Sequence, residues 1–453
     1  MRLLKIGCAL LALVVLMAGA GIVVLNRYLQ SEAFKQAVIR SAHDLLGSDV
    51  QIGEIRISVL SGATFTGVTL ANPTGFPGDL LHADALVVRY RLWPLLRKRL
   101  EVQRVSLEGP LVLLARGEGG AWNYDRLGAR PPGTGGRSGA PAGSAEPASP
   151  ASAVAALDVL LPDLTVRRGS LVVTGERQRP LVRLDGLDLD TSLTWLSAAL
   201  RGGGRASIAT VSLADTLFVR EVTARLAFTA GDVKLAPLSG GLAGGELTGD
   251  LAVLLAGGPH YTANLQLRNV DVPTLLREAR ARRHFMSGRL QGRARLEGAG
   301  GLATLAGQGH VEIQGGQVVD VPILQTIALL LQLPSLINLK LDECSVDWTL
   351  AQEVLRTPTL RLLSRDVRIT GAGAVSLASG TVDHELTLAL PKPVVARAGR
   401  DVRRAFTEQP DGWMTLDFRV WGPYDAPRTD LSDRLFRTTA EGFLRKGLKQ
   451  LFR

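Results

Sequence analysis

Large aromatic side chains are scarce. Phe, Trp and Tyr together make up 5% of the 453 residues, although hydrophobic residues make up 46%. An ordinary globular core leans on the large buried area that aromatics supply. Here the apolar mass is Leu, Val, Ile and Ala, which suits strands and alkyl-like surfaces. Cysteine is nearly absent. The chain has two, Cys8 and Cys344; Cys8 lies in the N-terminal apolar segment, which argues against an intramolecular disulfide. Cys344 reads as a small buried hydrophobe rather than a reactive thiol. No HExxH, GxSxG or phosphate-binding glycine loop occurs, and the six histidines stand apart. The nearest cluster is Asp383-His384-Glu385. Strand alternation sends Asp383 and Glu385 one way and His384 the other, so a solvated strand face is expected, not a triad. No catalytic residue, metal ligand or cofactor is expected, and no zinc, helix-turn-helix or aromatic-basic motif points to nucleic acid.

What the chain does have begins at its N-terminus. MRLLKIGCALLALVVLMAGAGIVVL places Arg2 and Lys5 before an apolar run long enough to span a hydrocarbon core. Charges ahead of the span predict a cytoplasmic N-terminus and a bulk on the far side of the membrane. Ala18-Gly19-Ala20 also resembles a signal-peptide cleavage site. Because the apolar run continues through Leu25, an uncleaved anchor over residues 1–27 is expected. The formal net charge of +10 is spread among strand-like segments. It fits a solvated basic face or attraction to anionic headgroups.

After a helix capped by Ser31, period-two alternation dominates. Leu86, Val88 and Tyr90 fall opposite Arg89 and Arg91. Further alternating runs carry Tyr261 to Leu267, Val311 and Ile313, Val346 to Leu350, Val367 and Ile369, and Leu386 to Leu390. Glycine, with 50 residues, serves many turns. Residues 128–156 are almost all Pro, Gly, Ala and Ser and read as a disordered linker. The organisation expected is an anchor (1–27), a β region (28–127), the linker (128–156), a middle β region (157–287), a second β region (288–428) and a basic amphipathic helix (429–453). Short helices are expected near Val272–Arg283 and Val402–Phe406. The apolar run from Val321 to Leu331, between Pro322 and Pro334, is expected to be a helix packed on the sheet. The fold class is mainly β with few helices. Strands apolar on one side only leave two solutions: two sheets face to face, or one long sheet curled around something apolar.

The segment Leu86 to Leu127, with Leu92-Trp93-Pro94-Leu95-Leu96 and Gly120-Ala121-Trp122-Asn123, resembles the N-terminal region of the AsmA family. Phe65 to Gly78 and the anchor are similar to it as well. Gly288 to Leu324, continued to Pro391, resembles the family's C-terminal region. The resemblance implies a single-pass inner-membrane protein of diderm bacteria with its bulk in the periplasm and a long, curled, groove-like antiparallel sheet. It also implies phospholipid movement toward the outer membrane, or maintenance of that membrane, with phospholipid, the inner membrane and a periplasmic or outer-membrane protein as partners. Acyl chains would lie along Val311, Ile313, Trp348, Val367, Ile369, Leu386, Leu388 and Leu390, expected on one face. A closed sandwich core would give the same pattern. Arg91, Arg97, Lys98 and Arg99 are candidates for headgroup contact. Assistance in assembling outer-membrane proteins is the alternative function, and an anchored hydrolase a weaker third.

Overall fold

The computed structural model describes residues 47–58, 62–91, 102–117, 120–127, 163–175, 179–196, 199–254, 260–281, 286–299, 304–319, 337–398, 400–424 and 426–435, with a few isolated helical positions. The expected anchor, the linker at 128–156 and most of the C-terminal helix lie outside them. Among the described residues no helix is long and apolar enough to cross a membrane. Lys35, Gln36, Ile39, Arg40 and His43 are helical, within the stretch expected to follow Ser31.

The chain divides into two compact units, residues 1–215 with 221–230, and 216–220 with 231–453. In the first, β1 (Val50–Ser58), β2 (Gly62–Ala71) and β3 (Asp79–Tyr90) form an antiparallel meander. Next come β4 (Val102–Glu108), β5 (Leu111–Ala115) and a short 3-10 turn, Asn123–Arg126. Beyond the linker, β6 (Asp163–Thr174) joins both β4 and β5 in parallel. That corrects the expectation of a purely antiparallel sheet: residues on the two sides of 128–156 hydrogen-bond as neighbours. The linker is an insertion within one unit and does not separate two. Strands β7 (Pro180–Leu196) and β8 (Ala199–Leu213) continue antiparallel. The division between units falls within β9 (Leu217–Thr229).

The second unit is a longer meander. It contains β10 (Asp232–Leu242), β11 (Gly245–Leu254), β12 (His260–Asp271), β13 (Met286–Ala299), β14 (Ala306–Val319), β15 (Asn338–Lys340), β16 (Glu343–Ala351), β17 (Val354–Leu363), β18 (Arg368–Ser376), β19 (Thr381–Pro391), β20 (Thr407–Glu408), β21 (Trp413–Pro423) and β22 (Arg428–Thr429). Each long strand pairs antiparallel with the next. The boundary expected at 287/288 falls inside β13, which pairs with both β12 and β14, so the sheet runs through it.

Among the described residues of the second unit, helices interrupt the meander where strands reach one edge. Helix α1 (Val272–Glu278) follows β12; Asp271 caps it by accepting from the Thr274 amide at 3.0 Å, and Pro273 suits the first turn. Helices α2 (Lys392–Ala396) and α3 (Arg400–Ala405) follow β19. Residues 431–435 are helical too, at the start of the expected C-terminal helix, and Leu431 and Leu435 are buried. Of the apolar run 321–331, Gln325 and Ala328 are described. Both are helical, and Ala328 is buried in the core, in keeping with a helix packed on the sheet.

Candidate functional site

The register of the second unit sorts its side chains into two faces, because residues opposite each other on antiparallel strands point the same way. One face begins at Val233, Leu235, Leu251 and Val253. It continues through Tyr261, Ala263, Leu265 and Leu267 to Leu290, Ala294 and Leu296. Then come Val311 and Ile313, Val346 and Trp348, and Leu360 and Leu362. The row ends with Ile369, Leu386, Leu388 and Leu390, and Met414, Leu416, Phe418 and Val420. From β10 to β21 one Asp, Glu, Lys or Arg in a paired position lies on this face: Glu408 of β20, opposite Met414 at the helical edge, where it pairs with Lys392 at 2.6 Å.

The other face carries the charge. Arg293 and Arg295 sit there with Asn264, Gln266, His310 and Asp347 around an open depression of about 620 Å³. His310 Nδ1 is 2.7 Å from Asp347 Oδ1. Further along, Arg419 donates to Asp383 at 2.7 and 2.6 Å, which holds the Asp383 carboxyl below the usual carboxylate range.

The residues expected to line a groove therefore share one face, but they do not share one environment. Val367 (1% exposed), Ile369 (8%), Leu388 (1%) and Leu390 (0%) belong to a closed core, with Ile313 and Leu386 packed against it. Val395 of α2, Val402 of α3, Leu431 and Leu435 cover them. At these positions the face is the interior of a small domain, not the wall of an open channel. Burial pushes the Cys344 thiol, in the same core, up to about 11. Val311 and Trp348 lie nearer the opposite strand ends and remain half-buried, as do Leu251, Val253, Tyr261, Leu265, Leu296, Val346, Leu360 and Val382. The uncharged face thus has a covered half at the helical edge and an uncovered half beside it.

On the uncovered half, rings lie over glycines of the adjacent strand. Trp348 is opposite Gly309, Tyr261 opposite Gly298 and His384 opposite Gly373. A methyl added at any of those glycines would strike the ring. Cross-strand aromatic cover of this kind repairs the packing a strand glycine lacks. His384 was expected on a solvated face. Its parity puts it between Val382 and Leu386 on the uncharged one, where burial lowers its pKa from the ordinary imidazole value.

Of the headgroup candidates, Arg91 directly follows β3. Arg97, Lys98 and Arg99 lie outside the described residues. The tryptophan-asparagine motif has a structural task that spacing did not reveal. Asn123 is fully buried (0% exposed). It accepts from the Ala115 amide at 3.1 Å and donates to Leu113 O at 2.7 Å and Asn72 Oδ1 at 2.8 Å. Asn72 in turn donates to Pro77 O at 2.9 Å. The turn at 72–78 and the motif at 120–123 are one hydrogen-bonded knot at the end of β5.

That knot lies within residues 1–194, which match the model of the AsmA family. The match spans the first unit up to β7, whereas the uncharged face of the second unit lies beyond it, as does the resembling block from Gly288. No curated protein and no solved structure matches the chain. Over residues 1–194 the chain is similar to the AsmA family.

Proposed function

We propose that this protein is anchored in a bacterial inner membrane by its first residues, holds its β units in the periplasm, and carries phospholipid between the envelope membranes. Acyl chains would lie on the uncovered half of the uncharged face. One observation carries the reading: from β10 to β21 every paired position on the uncovered half of that face lacks a charge, while the opposite face is rich in Arg, Asp and Glu. A two-chain lipid exposed to water costs on the order of 20 kcal/mol at about 0.8 kcal/mol per methylene. A carrier must offset most of that without a gap, and a single buried carboxylate or ammonium along the path would be a barrier. A half-buried apolar surface of this extent calls for an apolar occupant. The similarity of residues 1–194 to the AsmA family supports the envelope setting. The basic turn with Arg91, Arg97, Lys98 and Arg99 would meet anionic headgroups near the anchor.

The test is mass spectrometry of lipid retained by the full chain after gentle extraction. Phospholipid is expected on the wild type and depleted on a Val311→Asp variant that keeps its fold. A wild type free of lipid, or a variant with undiminished lipid, would count against the proposal.

A further inference from the structure

Thr357 and His384 are anomalies on the uncharged face. Thr357 is buried (6% exposed) at the β17 position opposite Gly373, which in turn lies opposite His384. Its hydroxyl lies 2.8 Å from His384 Nε2 and 3.3 Å from Gly373 O. The hydroxyl has one proton to give. If it goes to Gly373 O, Nε2 carries hydrogen and donates to the hydroxyl, leaving Nδ1 a bare acceptor. If it goes to Nε2, Nδ1 carries the hydrogen and is a donor. Either way Thr357 orients the ring, and no hydrogen bond from a described residue reaches Nδ1; the second arrangement is the one in which Nδ1 can donate to a carboxylate or ester oxygen. A phenyl ring would cover Gly373 equally well, as Trp348 and Tyr261 cover their glycines, and would leave no ring nitrogen to satisfy. A polar pair in this place is costly unless something polar meets it.

We infer that His384, oriented by Thr357, is a seat for the oxygen-bearing end of an acyl chain, the carboxyl or ester group from which the hydrocarbon runs. This deepens the lipid reading and rests on it. The hydrocarbon would extend across the strands toward Trp348. From β19 to β16 that is about 14 Å at the usual strand spacing, with Val375, Leu360 and Val346 on the way. The direction along β19 is closed by the core at Leu388.

Two probes separate the seat from the face that holds it. One is a fluorescent polyene fatty acid, and the other is the hydrocarbon diphenylhexatriene, which has no oxygen. Energy transfer from the protein's tryptophans to each probe reports only molecules bound at the protein. Delipidated full-length wild type should bind both. His384→Phe should weaken the fatty acid about tenfold, the scale of one hydrogen bond to an ionisable group, and leave the hydrocarbon unchanged. Thr357→Val should weaken the fatty acid less, since the ring stays but loses its orientation. Equal fatty-acid affinity in wild type and both variants would overturn the seat while leaving the face intact. A wild type that binds the hydrocarbon but not the acid would do the same. Binding of neither probe would overturn the lipid reading and the seat with it. Should His384→Phe fail to fold, Thr357→Val alone decides: undiminished fatty-acid binding refutes the seat.

Discussion

Leu388 and His384 stand four residues apart on β19 and point to the same face. Leu388 lies beside Leu416 and Ile369 in the closed core; His384 has glycine on one side, Val420 on the other, and is half-buried. Strand pattern treats the two positions alike. What separates them is tertiary: α2, α3 and the helical residues 431–435 belong to the edge where β19 and β22 end, so the face is sealed there and half-buried a few residues away. One sheet surface thus serves as a hydrophobic core at one margin and as a half-buried apolar surface at the other. The core anchors the helices, and the uncovered part is free to bind.

A charge placed on each half gives the largest expected contrast. Leu388→Asp puts an unpaired carboxylate among Ile369, Leu416 and Val395, and the second unit should lose its cooperative thermal transition, because burying such a charge is very costly. Val311→Asp, on the half-buried part, should melt within a few degrees of wild type, since its carboxylate reaches water. If both variants melt alike, the division into halves is wrong.

Truncation gives a smaller contrast of the same kind. Leu390→Ala removes side-chain atoms from a fully enclosed site and should cost about 2–5 kcal/mol in denaturant unfolding. Leu296→Ala, half-buried, should cost less than half as much. In a Cys8→Ser background, Cys344 should resist alkylation at pH 8 until the second unit unfolds, because burial keeps the thiol protonated, with its pKa near 11. Rapid labelling of the native chain would show that the covered half opens.

Much of this was legible in the sequence, and the gaps have physical causes. Val311, Ile313, Trp348 and Leu386 to Leu390 were assigned to one face correctly, because a strand's period of two leaves no other choice. Whether that face was covered could not be read, since a lipid-facing and a helix-facing leucine occupy the same places in the alternation. The covering elements are also short: α2 is a single turn beginning at Lys392-Pro393, with too few residues to show helical periodicity. The parallel pairing of β6 with β4 and β5 joins residues on the two sides of the linker, which local pattern does not report. His384 was misjudged by its neighbours. Asp383 and Glu385 are exposed and charged, and the same alternation that exposes them turns the imidazole inward.

The smallest effect expected concerns that imidazole. Burial disfavours its charged form, and Asp383, on the far face, offsets this only in part. On its own face it meets Thr357, Gly373, Val382, Leu386 and Val420, none of them charged. In the unfolded chain the ring takes up a proton near pH 6.5; in the fold it does so at a lower pH. The unfolded state therefore binds more protons in the interval between those values, and folding stability falls as pH drops through it. Above the unfolded value the contribution is complete and constant. Urea midpoints of wild type and His384→Phe, measured at pH 7.5 and at pH 5.5, should show the wild type losing ground to the variant on acidification, by a small margin because the ring is only half-buried. Common carboxylate effects cancel in that difference. A wild type that instead gains on the variant at pH 5.5 would mean that an acidic partner meets His384 in the fold. The uncharged face would then not be uncharged at the point where the uncovered half begins.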